Sequence, residues 1–177
     1  MGLDKIVESA GKAGALSTED RVFLQEVVET DRAEHHGRVS YMDIMFELEH
    51  HYGNSLPGEV LGEVARLVGA SASQLNGFVT FYTMLSTKAR GKHVIRVCTS
   101  VPCHVTGALS IVTELKRLLG VGLGETTSDG VFTLEASSCL GICGVSPALM
   151  IDDDAYGNLT SGDLPRILAA KRTGGAT

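Results

Sequence analysis

The four cysteines of this 177-residue chain all lie in its second half, as Cys98-x4-Cys103 and Cys139-x3-Cys143 with 35 residues between the pairs. Each pair follows a short run that reads as a β-strand. Residues 93–97 are rich in β-branched side chains, and residues 131–136 alternate. If these strands are neighbours in one sheet, the four thiols converge at the same edge. Four thiolates suit either zinc or an iron–sulfur cluster. Zinc knuckles usually space each pair by two to four residues, and C-x3-C is unusual among them. Two loops with three and four intervening residues wrap the wider two-iron unit, with one pair per iron as the simplest arrangement. Such a centre is anionic in both oxidation states and gains a further negative charge on reduction, so it needs donors around it. Cys103 is expected to open a helix whose N-terminal amides point to the site, and Gly107, Gly141 and Gly144 leave backbone N–H groups uncovered. A structural zinc site, two disulfides and four unrelated buried thiols remain as alternatives. Disulfides fit poorly with a cytoplasmic protein.

The remainder of the chain divides by composition near residues 88–91. Residues 1–88 read as a bundle of short helices, and 89–177 as a mixed domain. Ser17 caps a helix with Asp20 reaching back, Ser40 caps a second, and Pro57 starts a third in its first turn. Ser71-Ala-Ser-Gln74 spells a full capping box, with Leu75, Phe78, Val79, Tyr82 and Leu85 as the apolar stripe behind it. In the second part a helix follows Cys103 with Val105, Leu109, Val112, Leu115 and Leu119 on its buried face, ended by Gly120. Residues 147–151 form a further strand, residues 154–157 turn the chain, and residues 164–171 close it as a helix. The order β, α, β, β, α predicts a small thioredoxin-like layer, and the class is α+β.

Several function classes are excluded by charge and hydropathy. The net charge is −6, with 8 Lys/Arg against 13 Asp/Glu in the first 90 residues, so no basic nucleic-acid footprint is present. The uncharged stretch at residues 136–151 has 16 residues with three Ser and a Pro, whereas a spanning helix needs about 20 apolar ones. Asp4, Lys5 and Glu8 interrupt any secretory apolar run, and Ile6 stands where a myristoylation signal wants Ser or Thr. A cytoplasmic protein is expected.

Six segments together resemble a known family. They are Gly77-Phe-Val-Thr-Phe-Tyr82, Arg90-Gly-Lys-His-Val-Ile-Arg-Val-Cys98, Cys103-His-Val-Thr-Gly107, Gly124-Glu-Thr-Thr-Ser-Asp-Gly130, Cys139-Leu-Gly-Ile-Cys143 and Tyr156-Gly-Asn-Leu-Thr160. Across about residues 55–170 the chain resembles the 24 kDa subunit family of respiratory complex I. That family also supplies the small diaphorase subunit of NAD-linked hydrogenases and the gamma subunit of NAD-dependent formate dehydrogenases. The resemblance implies an N-terminal helical domain, a thioredoxin-like ferredoxin domain, and one [2Fe-2S] cluster on Cys98, Cys103, Cys139 and Cys143. It also implies a partner flavoprotein that binds FMN and NAD(H), with further iron–sulfur subunits beyond it. The chain then carries electrons and is not catalytic on its own. A zinc-stabilised structural adaptor is the alternative, and a dithiol enzyme would want the close C-x-x-C that is missing. Leu85 and Ile142 depart from the family pattern without removing a ligand, and a bulky Ile142 is expected to restrict solvent. The first 50 residues match only loosely, which makes the N-terminal helices the expected docking element.

Weaker signals read as ordinary structure. His35-His36 and His50-His51, with Glu47 and Glu49, lack ligand spacing and read as solvated helix ends. His104 reads as a hydrogen-bonding neighbour of the cysteines, since four thiolates complete a shell. Gly120-Val-Gly-Leu-Gly124 follows a helix, so it is a helix stop, and Asp152-Asp-Asp154 is a turn with no calcium ligand at Tyr156.

Overall fold

The computed structural model describes residues 16–174, so the readings of the first residues against a secretory or lipid signal lie outside it. The described residues fall into two compact units, divided between Ala89 and Arg90. In the first unit each helix begins where a local cap dictates. Helix α1 (Thr18–Glu34) starts at a capping box: the Ser17 hydroxyl accepts from the Asp20 N–H at 3.0 Å, and the Asp20 carboxylate accepts from the Ser17 N–H at 3.1 Å. Helix α2 (Tyr41–His51) starts at Ser40, and α4 (Ala72–Phe81) at the Ser71–Gln74 box. Pro57 is the N-cap of α3 (Gly58–Val68) rather than part of its first turn.

The apolar stripes of these helices meet in one core, which includes Leu24, Val27, Val28, Ile44, Met45, Leu48, Val60, Val64, Leu75 and Val79. Leu85 belongs to this core but not to α4, which stops at Phe81. The chain after the helix folds back, and the Leu56 N–H donates to the Ser86 carbonyl at 2.7 Å, which carries Leu85 inward. The Arg21 guanidinium donates to Glu63 at 3.2 Å and ties α1 to α3.

This shared core sets the outcome of truncation. Deleting residues 1–50 removes Leu24, Val27, Val28, Ile44, Met45 and Leu48 together, and each buried aliphatic side chain contributes about 1.5–3 kcal/mol. The leftover residues 51–89 are expected to lose helical circular dichroism and to bind a hydrophobic dye. A truncated chain that stays as helical as the full one, with no dye bound, would contradict the shared core.

The second unit is built on a five-stranded sheet of order β2-β3-β1-β4-β5. Strand β1 (His93–Cys98) runs parallel to β3 (Phe132–Ser137) and antiparallel to β4 (Leu149–Ile151); β2 (Glu125–Thr126) and β5 (Asp154–Tyr156) form the edges. Between β1 and β2 lie α5 (Val101–Val105) and α6 (Ala108–Leu119), and α7 (Leu164–Arg172) follows the sheet. Ile111, Val112 and Leu115 of α6 and Leu164, Ile167 and Leu168 of α7 pack with Ile95, Val97, Phe132, Leu134, Leu149 and Ile151 of the strands. This arrangement is α+β with a thioredoxin-like layer. Among the described residues no helix is long and apolar enough to cross a membrane.

Two expectations need correction here. Residues 154–157 do not turn the chain, because Asp154–Tyr156 is strand β5 and the bend lies just before it, where Asp152 has φ 56°. The Asp152 carboxylate accepts from the Val94 N–H at 2.9 Å and contacts His93 Nδ1 at 2.7 Å, so a neighbouring strand holds that turn. The simple order β, α, β, β, α also omitted β2 and β5, which have two and three residues.

Candidate metal centre

Because β1 and β3 are parallel and in register, Cys98 stands opposite Ser137 and both chains leave the sheet at the same end. Cys98 is the last residue of β1, and Cys139 comes two residues after β3 ends. The loops are tied to each other: the Thr99 N–H donates to the Ser137 carbonyl at 3.0 Å, and the Ser100 hydroxyl to the Ser138 carbonyl at 2.6 Å. The residue before β4 closes a third side, since the Cys98 N–H donates to the Ala148 carbonyl at 3.1 Å.

Cys98 and Cys103 are 2% and 1% exposed and pack with Ala108 and Ala148, with Leu140 and Ile142 against them. Cys139 and Cys143 face solvent. All four are free thiols, and the Cys139 and Cys143 sulfurs lie 3.7 Å apart, well beyond the ~2.05 Å of a disulfide. Cys98 and Cys103 share a side-chain hydrogen bond, Cys103 feels the charge of Cys143, and Cys143 feels those of Cys98 and Cys139, so the four form one constellation.

Its shape is two pairs rather than one tetrahedron. Four sulfurs at about 2.3 Å from a single zinc lie about 3.8 Å from one another. Among the described residues the one trio of His, Cys, Asp or Glu ligand atoms within 4.8 Å is Asp31, His35 and Asp43, so no three of these sulfurs are that close. Two thiols from each loop, one pair per iron, fit a wider two-iron unit.

The electrostatics of the pocket favour negative charge unevenly. Burial pushes the Cys98 thiol up, but the Ser100 N–H, the Cys103 thiol, the Leu140 N–H and the Ser100 hydroxyl outweigh it, and its pKa is lowered. Burial and then the Cys98 thiolate raise Cys103, against a donor from the Ala148 backbone. Cys143 is raised by its hydrogen bond with Cys139 and by the charge there. The Gly141 N–H donates to the Cys139 sulfur at 3.4 Å. Crowded thiolates of this kind all ionise only with cationic metal between them.

The donors differ in part from those expected. Cys103 lies inside the short helix α5, and the N–H of Gly107 is used by the His104 carbonyl at 3.2 Å. Gly141 donates as expected, and Ser100, Leu140 and Ala148 supply the other amides, with nothing in their side chains to signal it. Gly107, at φ 107°, also breaks α5 from α6 and resets the helical phase. Val105 and Leu109 are consequently 79% and 58% exposed, and Ala108, Ile111, Val112 and Leu115 form the buried face. His104 is exposed and is not among the groups that donate to Cys98 or Cys103.

Gly157 is a further residue that sequence reasoning missed. A Cβ there would lie 2.7 Å from the carbonyl oxygen of Val145 and would overlap its side chain. Val145 ends the 3-10 turn Cys143–Val145, and its carbonyl accepts from the Asn158 N–H at 2.6 Å. The chain leaving β5 thus braces the turn that carries Cys143. Of the other histidines, His51 stacks on Phe23 with ring centroids 3.9 Å apart, a packing role.

A family model described as thioredoxin-like [2Fe-2S] ferredoxin matches residues 25–172. An NADH-quinone oxidoreductase subunit from Pseudomonas aeruginosa is 41% identical over 115 residues, which cover 65% of this chain and 69% of that protein. An NADH-quinone oxidoreductase subunit from Rhizobium meliloti (strain 1021) is 35% identical over 150 residues, covering 84% of this chain and 89% of that protein. A solved chain of an NAD+-reducing [NiFe]-hydrogenase in the air-oxidized state superposes with a TM-score of 0.63 at 15% identity. The match covers 73% of this chain and 23% of that one, and it is a likeness of fold.

Proposed function

Because the chain belongs to the thioredoxin-like [2Fe-2S] ferredoxin family, we propose that Cys98, Cys103, Cys139 and Cys143 hold its one [2Fe-2S] cluster. The protein is an electron-transfer subunit of an NADH dehydrogenase-type or hydrogenase-type complex. The observation that carries the ligand assignment is the two-and-two grouping of thiols where β1 and β3 end, with backbone amides directed at the sulfurs.

When bound, the cluster supplies a site that takes up and releases single electrons. The chain's own residues create its surroundings. Cys98 and Cys103 hold the inner side, where Leu140 and Ile142 restrict water. Cys139 and Cys143 hold the outer side, which is the side open to a partner. The amides of Ser100, Leu140, Ala148 and Gly141 offset the charge that the sulfurs carry. The partner in this reading is a flavoprotein subunit that binds FMN and NAD(H), followed by further iron–sulfur subunits. The two units of the fold act as separate domains, and the N-terminal helices serve docking. A cytoplasmic location accords with four cysteines that are free thiols.

Protein purified anaerobically is expected to be brown and to contain about two irons and two acid-labile sulfides per chain, since four thiolates complete one such centre. Metal analysis that finds zinc without sulfide in protein from its native host would overturn the assignment.

A further inference from the structure

We propose that Asp31, His35 and Asp43 form a second metal site, for one divalent transition cation of the zinc class, at the junction of α1 and α2. Asp31 and His35 stand four residues apart, the latter as the C-cap of α1, and Asp43 lies in the first turn of α2. Each presents a ligand atom within 4.8 Å of the other two. The His35 ring lies between the carboxylates, with Nδ1 3.1 Å from Asp31 Oδ1 and Nε2 3.3 Å from Asp43 Oδ2.

Asp31 distinguishes this group from a surface ion pair. Its side chain is 5% exposed, and the Ser40 N–H donates to Oδ2 at 2.9 Å, which orients the carboxylate. The other oxygen, Oδ1, is buried and accepts no well-formed hydrogen bond: His35 Nδ1 stands 3.1 Å from it but donates to the Asp31 main-chain carbonyl at 2.9 Å. A buried anionic oxygen short of a donor is costly, and a cation that takes the place of the Nδ1 proton, shared with the ring and with Asp43, satisfies it. One imidazole with two carboxylates is a donor set for zinc and its first-row neighbours, since imidazole disfavours magnesium and calcium. Asp43 is exposed, so its side chain has room to turn onto the ring nitrogen that the ion uses, and water fills the open position. The proton competes with the ion. Protonation of the imidazole blocks its ligand nitrogen, so binding weakens as the pH falls.

The test is calorimetric titration of the full-length, cluster-loaded, oxidised protein with Zn2+ at pH 7.5, with cluster absorbance followed to show that iron stays in place. One Zn2+ per chain is expected. His35→Gln and Asp43→Asn should each weaken binding at least tenfold, and His36→Asn, at a neighbouring residue with φ 55°, should leave it unchanged. Asp43 is a surface residue, so its variant carries the test even if His35→Gln fails to fold. Absence of Zn2+ binding, or equal binding by Asp43→Asn and the native protein, would overturn the site.

Discussion

Cys139→Ala is expected to leave the protein nearly free of iron and sulfide, whereas His104→Ala keeps close to the native content. Loss of a hydrogen-bonding neighbour of a metal ligand typically weakens a site about 10–100-fold, and loss of the ligand itself weakens it further. Cys139 is the better choice for the test than Cys98 or Cys103. Those two are buried in the same small core as Ala108 and Ala148, so their replacement would confound folding with binding. Cys139 is exposed, and the alanine variant should retain the native circular dichroism. Iron, sulfide and visible absorption per chain provide the measurement. Equal losses in the two variants would give His104 a part in the site that its exposed position does not suggest.

Gly157→Ala should loosen the same site from the opposite side. The new methyl group meets Val145, whose backbone and side chain must both shift, and overpacking of this kind typically costs about 1–3 kcal/mol. In a unit of this size each kcal/mol lowers the melting midpoint by about 4–8 °C. The displacement passes into the turn Cys143–Val145, so iron should be released to a chelator faster as well. Gly144→Ala is the control, because a Cβ there meets open space although the residue adjoins Cys143. If Gly157→Ala melts and holds iron like the native protein, the brace between β5 and the Cys143 turn is not a determinant of the site.

Much of the site was legible in the residues because its positions follow from short-range rules. A capping box is closed within three residues, as at Ser17–Asp20 and Ser71–Gln74, so a local pattern determines where α1 and α4 begin. Likewise, β-branched residues before Cys98 make a strand that ends at the cysteine, and the two Cys spacings select the width of what they enclose. Tertiary structure alone decided the rest. β2 and β5 are too short to have a pattern and exist because longer strands lend them hydrogen bonds. The break at Gly107 turned Val105 and Leu109 outward, although their spacing with Val112 reads as a single stripe. The donors to the sulfurs are mostly backbone groups, which every residue type carries and which only folding aims. Gly157 against Val145, and His35 between Asp31 and Asp43, bring together residues from different elements. Side-chain identity sets what such residues can do, but which of them meet is set by the packing of elements far apart in sequence.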